Sequence, residues 1–210
     1  MSIQATIALM GIDRMSNSTI QDMFDDNVAR IVRQHAIAST AVSLAAAVPG
    51  AGATACVVCQ TAVVYSMYVR MNKALGISLS GNVVKSIASA VIANIASNVI
   101  TFVGSVIAST VLSFIPVLGS AASTIVMGGV GYATVMIAAI AYGKALSAMV
   151  SRGKNVETMS ESEIKDAVKE ELNKRDLNKD MKTFTEEYKR ERKSDEFKNA
   201  DQINLENMEE

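Results

Sequence analysis

Between Asp26 and Glu157 the chain carries no carboxylate, and from Ser86 to Gly143 it carries no charge of either sign. Chain of this kind loses free energy by leaving water, so it must be covered either by lipid or by other parts of the protein. Pro116 and Gly119 interrupt the run in "SFIPVLGSAAS". A shorter uncharged stretch, "SLAAAVPGAGATACVVCQTAVVY", is interrupted in the same way by Pro49, Gly50 and Gly52. Proline removes a backbone donor and ends a helix, and glycine permits the reversal that follows. The layout helix, Pro/Gly, helix therefore occurs twice. The expected fold is all-α: two Pro/Gly-tipped apolar helical hairpins, preceded by an amphipathic helix and followed by a charged helical tail.

Charge divides the chain into three segments. Residues 1–34, 35–150 and 151–210 carry net charges of -1, +4 and -4, which together give the chain its -1. The first is read as an N-terminal segment with an amphipathic helix. Ser18 and Gln21 form a capping box, and Asp22, Asp25 and Asp26 sit in the early turns where the helix dipole favours negative charge. That acidic cluster is read as dipole-complementing surface rather than a cation site. The second segment is the apolar hairpin domain, in which Gly76 is expected to cap the helix ending near Leu75. The third is a charged helical tail of one or two exposed helices. Ser160 and Glu163 open it as a capping box, Ile164, Val168 and Leu172 form an apolar stripe, and Leu177, Met181, Phe184 and Tyr188 continue it. Beyond about Phe197 the polar composition predicts disorder.

Small residues recur every fourth position in the third apolar helix: Ala93, Ser97, Thr101, Ser105 and Ser109, with Gly128 continuing the theme in the fourth. Such rows let helix backbones approach closely, as helices do in a bilayer, and these residues are the candidate helix-packing positions. A tight water-soluble bundle of Ala-rich helices is the alternative. Glycine costs a helix about 1 kcal/mol in water, which favours the membrane reading.

The first limb, Ala36 to Val48, would reach only about 20 Å at ~1.5 Å per residue, short of the ~30 Å hydrocarbon core. The limbs of the second hairpin are long enough to cross. All basic residues of the middle segment, Arg70, Lys73, Lys85 and Lys144, lie away from the Pro/Gly tips, so the positive-inside tendency predicts both termini on the cytoplasmic side. The N-terminus lacks the pattern of a secretory leader.

The chemistry that these residues exclude is as informative. His35 is the single histidine and no histidine-based triad with an acidic partner nearby is proposed for it, and the span without carboxylates offers nothing for general acid or base work. "AYGKALS" has a Gly-Lys pair but no phosphate-cradling loop around it. Cys56 and Cys59 share a helix face, yet no further ligand pair completes a metal or redox site, so both are read as packing residues. His35 is read as a polar residue where the helix enters the core or membrane. No catalytic, cofactor or metal site is expected, nor nucleic-acid binding, since acids outnumber bases in the tail.

The motifs "AVPGAGA", the helix after it with Gln60 and Met67, "ALGISLS", "FIPVLGSAAS" and "YATVMIAAIAYGKAL" occur in an order and spacing that resembles a bacterial helical domain of unknown function. That domain is found behind Era-like GTPase domains and in related inner-membrane proteins. The resemblance covers about Ala38 to Ala145. It implies a helical-hairpin module that associates with a membrane or with a GTPase in trans, and it carries no catalytic residues across.

The leading expectation is a non-enzymatic, membrane-associated scaffold at the bacterial inner membrane, meeting a GTPase or other protein through its charged tail and open to self-association. A small pore former of the holin or bacteriocin kind and a soluble all-helical interaction module are the alternatives.

Overall fold

The computed structural model describes residues 26–46, 52–110 and 121–193, with side chains over 27–43, 57–97 and 125–193. Six helices follow in order: α1 (Asp26–Ala46), α2 (Gly52–Leu75), α3 (Gly81–Thr110), α4 (Ala121–Ser151), α5 (Glu161–Asn173) and α6 (Leu177–Glu191), with a 3-10 turn at Val156–Thr158. The described residues contain no strand. Of the expected hairpin turns, Pro49, Gly50, Pro116 and Gly119 lie outside the described residues, and Gly52 is the first residue of α2.

Local sequence accounts for the ends. At Leu75–Ile77 the Gly76 backbone adopts φ +68°, Ile77 N–H donates to Asn72 O at 2.9 Å and Gly76 N–H to Lys73 O at 3.3 Å, the paired bonds of a Schellman cap. Gly153 (φ +70°) closes α4 identically, with Lys154 N–H on Met149 O and Gly153 N–H on Val150 O. Ser160 and Glu163 form the reciprocal capping box that opens α5, and the Asp176 side chain accepts from Lys179 N–H to open α6.

Apolar spacing decides which helix sits where. On α2 the buried residues are Gln60, Val63, Val64, Met67, Tyr68, Met71 and Asn72, three and four apart. On α3 they are Val84, Ile87, Ala88, Val91, Ile92 and Ile95. Each of these helices has one face to bury. α4 differs, because from Gly128 to Met149 every residue except Lys144 and Ala148 is buried, and a helix apolar all round has to be enclosed. It is the axis of the bundle, and α1, α2, α3, α5 and α6 pack around it.

The tail belongs to the same core. Ile164, Val168, Leu172, Leu177, Met181, Phe184 and Tyr188 are all buried in one cluster with Met136, Ile140 and Tyr142 of α4. The sequence locates this stripe; what it could not supply was the surface against which the stripe packs. The two helices expected to be exposed show solvent only their charged faces.

Side-chain bonds fix the directions. His35 meets Ser66, and Ser39 and Ser43 meet Gln60, so α1 and α2 are antiparallel. Tyr68 reaches Ala138 O and Asn72 meets Tyr142, so α2 and α4 are parallel. Ser86 of α3 bonds Glu161 at the start of α5, beside the end of α4, so α3 runs against α4. Tyr188 and Thr185 of α6 lie over Gly128 and Gly129, which places the end of α6 beside the early turns of α4.

Candidate functional site

These directions bring four helix ends together. The last turns of α1 and α3 and the first turns of α2 and α4 lie at one end of the bundle. The residues that lead there, 34–46, 52–69, 86–110 and 121–143, contain no Asp, Glu, Lys or Arg. Arg70, Lys73, Lys85, Lys144, Arg152 and Lys154 collect at the opposite end, where Ser78 N–H also donates to Glu157 Oε1 at 2.7 Å. The hairpin helices α1–α4 are thus polarised along the bundle axis, their converging ends free of charge, and α6 brings charged side chains, Glu186 to Glu191, to that level.

Among the described residues one helix, over Ile125–Ser151, is long and apolar enough to cross a membrane, with mean hydropathy 1.8. In the bundle 83 % of its most apolar stretch is buried by protein. Glycines permit that cover. A Cβ on Gly129 would stand 2.7 Å from Thr185 Cγ2, one on Gly128 would collide with the Tyr188 hydroxyl, and one on Gly131 would stand 2.6 Å from Ser39 O. At the glycine-rich start of α4, α6 and α1 approach within the space a Cβ would need.

The α1–α2–α4 junction is polar inside. Ser39 Oγ donates to Gln60 Oε1 at 2.9 Å, and Gln60 Nε2 donates to Ser43 Oγ at 2.6 Å and to Ser39 O at 3.3 Å. His35, 0 % exposed, lies 2.7 Å through Nδ1 from Ile31 O and 3.3 Å through Nε2 from Ser66 Oγ. The carbonyl can only accept, so Nδ1 carries the proton and Nε2 accepts from the Ser66 hydroxyl. Burial pushes the imidazole down to about 4, against the pull of the Ile31 carbonyl and with a smaller push from Arg70. Its place is the bundle interior rather than the boundary.

Across the seam between α1 and α6, Arg33 Nη2 pairs with Glu191 Oε2 at 3.1 Å, with the two side chains 10 % and 13 % exposed. Glu187 is buried beside them and pairs with Arg190. Burial, then the charges of Glu191 and Glu187, push the Tyr132 hydroxyl upward, with Arg33 opposing. Arg33, Glu187 and Glu191 thus place full charges against Tyr132 at the seam between α1 and α6.

The residues singled out from sequence are distributed unevenly. Gly128 is buried under Tyr188. Ala93 and Ser97 face outward on α3 and are exposed. Thr101, Ser105 and Ser109 are helical, with side chains outside the described set. Cys59 is exposed on α2 near Val58, which is 62 % exposed. Asp26 begins α1, and Asp22 and Asp25 lie outside the described residues. Among the described residues no three His, Cys, Asp or Glu side chains gather in a set that could hold a metal.

The Arg33–Glu191 seam was missed from sequence because its partners are 158 positions apart. The available hint was the Gly128-Gly129 pair in a strongly apolar helix, which marks a close approach without saying of what.

No family model, curated protein or solved structure matches the chain, and the resemblance rests on the motifs quoted above.

Proposed function

We propose that this protein is a non-enzymatic helical scaffold that attaches to a membrane by the converging charge-free ends of α1–α4, entering one leaflet with the opposite end in the cytoplasm. The observation that carries this is the convergence of four charge-free helix ends opposite the end where Arg70, Lys73, Lys85 and Lys144 lie. The shortest of them, residues 34–46, measures about 20 Å at ~1.5 Å per residue, more than the ~15 Å of one leaflet. No helix of this group has to bring a charge into hydrocarbon, where Asp, Lys or Arg costs about 2.5–3.5 kcal/mol each. The apolar links between α1 and α2 and between α3 and α4 are the hairpin tips of this reading. The cluster of Arg70, Lys73 and Lys85 far from the tips agrees with a cytoplasmic location of that end.

Flotation of the purified chain with vesicles of phosphatidylethanolamine and phosphatidylglycerol tests this. Most of the protein is expected in the floated fraction, in 1 M salt as well as at low salt, because the contact is apolar. Protein that stays at the bottom of the gradient refutes it. Release of a small trapped dye during the same experiment identifies the pore-forming alternative.

The enclosure of α4 favours a second reading, a soluble interaction module in which the apolar helix is simply the core. That reading expects the chain in the supernatant after ultracentrifugation of broken cells without detergent.

A further inference from the structure

We infer that α6 is a detachable cover, and that the α1–α4 surface beneath it is the face that meets the acyl chains of a bilayer. The inference rests on the membrane reading above and specifies which surface does the work. To enter one leaflet to ~15 Å, α4 must place about its first ten residues, 121 to about 130, at the depth of the lipid chains. Gly128 and Gly129 fall within that stretch, and Tyr188 and Thr185 of α6 lie directly on them. α6 carries the exposed charges of Lys182, Glu186 and Arg190 on its outer face, at the same level of the bundle. With α6 in place these charges would be drawn into hydrocarbon along with α4. With α6 released, the α4 surface left behind is charge-free from its start to Gly143, and Arg33, which reaches Glu191 just beyond Tyr188, is the full charge beside it that the lipid headgroups would have to take up.

The seam is built in a way that suits release. The apolar contact of α6 is narrow: Leu177, Met181, Phe184 and Tyr188 are its buried apolar residues, interleaved with buried Thr185 and Glu187. The Thr185 hydroxyl is buried without a hydrogen-bond partner, so that part of the contact is not fully satisfied. Under Tyr188 and Thr185 the floor is glycine, with Tyr132 the large side chain beside it. The Arg33–Glu191 pair adds to closure, and its attraction falls when its ends regain water.

A reversible lock tests this. An ideal Cβ on Gly129 lies 3.3 Å from Thr185 Cβ, close to the ~3.5–4.5 Å of disulfides, and the methyl that it would strike is removed by the second substitution. The chain with Gly129→Cys and Thr185→Cys, and with Cys56→Ser and Cys59→Ser to prevent mispairing, is mixed with phosphatidylethanolamine/phosphatidylglycerol vesicles, oxidised or reduced. Association surviving an alkaline carbonate wash is expected to be at least tenfold greater in the reduced form. Equal resistance of the two forms overturns the cover while leaving the membrane reading intact. Failure of both forms to float overturns the two together. The unmodified chain supplies a second measurement that does not depend on the disulfide closing. Trypsin cleavage at Lys182, Lys189 and Arg190 is expected to accelerate at least fivefold in vesicle-bound protein over protein in solution. An unchanged rate on protein that has floated overturns the inference.

Discussion

Tyr68 and Tyr142 stack with ring centroids 4.0 Å apart and an interplanar angle of 21°, each sending its hydroxyl to the other's helix. Tyr68 OH donates to Ala138 O at 3.0 Å, and Tyr142 OH to Asn72 Oδ1 at 2.8 Å. Both rings are fully buried, and burial pushes both hydroxyls upward in pKa, so each remains a neutral donor. This crossed pair fixes the register of α2 on α4. Tyr142→Phe leaves the Asn72 carbonyl oxygen, in an amide whose nitrogen already has no partner, without its donor. The expected loss is about 1–3 kcal/mol, read as a lower urea midpoint with unchanged slope.

The close approaches at the start of α4 predict an inversion of the usual helix preference. Alanine normally stabilises a helix over glycine by about 1 kcal/mol. Gly131→Ala has to displace the Ser39 backbone, so it is expected to destabilise the bundle by at least about 1–3 kcal/mol despite the better propensity. Ala93→Ser on the exposed face of α3 should stay within about 0.5 kcal/mol of the parent. Thermal unfolding of the two variants side by side checks the contrast.

His35 makes stability depend on pH in a defined direction. Its folded value is lowered from 6.5 to about 4, so the unfolded chain binds the proton more readily. Stability from this residue is complete above about pH 6.5, falls as pH drops toward 4, and is level below that. At ~1.36 kcal/mol per pKa unit the total is about 3 kcal/mol. His35→Gln is expected to lower stability at pH 7.5 and to flatten the slope of unfolding free energy between pH 6.5 and 4. A slope equal to that of the parent would refute the assignment.

Arg33 and Glu191 close the seam between α1 and α6, and neither is far from solvent. Arg33→Gln or Glu191→Gln should each cost about 1–3 kcal/mol, between the values of exposed and fully buried pairs. The two together should cost less than the sum. A double-mutant cycle by chemical denaturation measures the coupling, and additive effects would show that the pair contributes nothing.

Legibility follows the range of the interaction. The Gly76 cap and the Ser160–Glu163 box could be read because each is satisfied within a few residues, and the spacing of Ile164, Val168 and Leu172 identifies a buried face for the same reason. Ala93 and Ser97 illustrate the converse. A row of small residues permits close packing, but whether a neighbour occupies it depends on the rest of the chain, and here that part of the row faces outward.

By itself the sequence determined that the chain is helical, where several helices are capped, and that charge is confined to its flanks and to the junctions between apolar runs. Tertiary structure decided that α4 becomes the axis and that the tail helices complete its enclosure. The reason is that an uncharged helix loses water equally well to lipid or to protein. Which one covers it depends on partners as distant as Tyr188 is from Gly128, and on glycines whose missing side chains acquire meaning only when another helix lies against them.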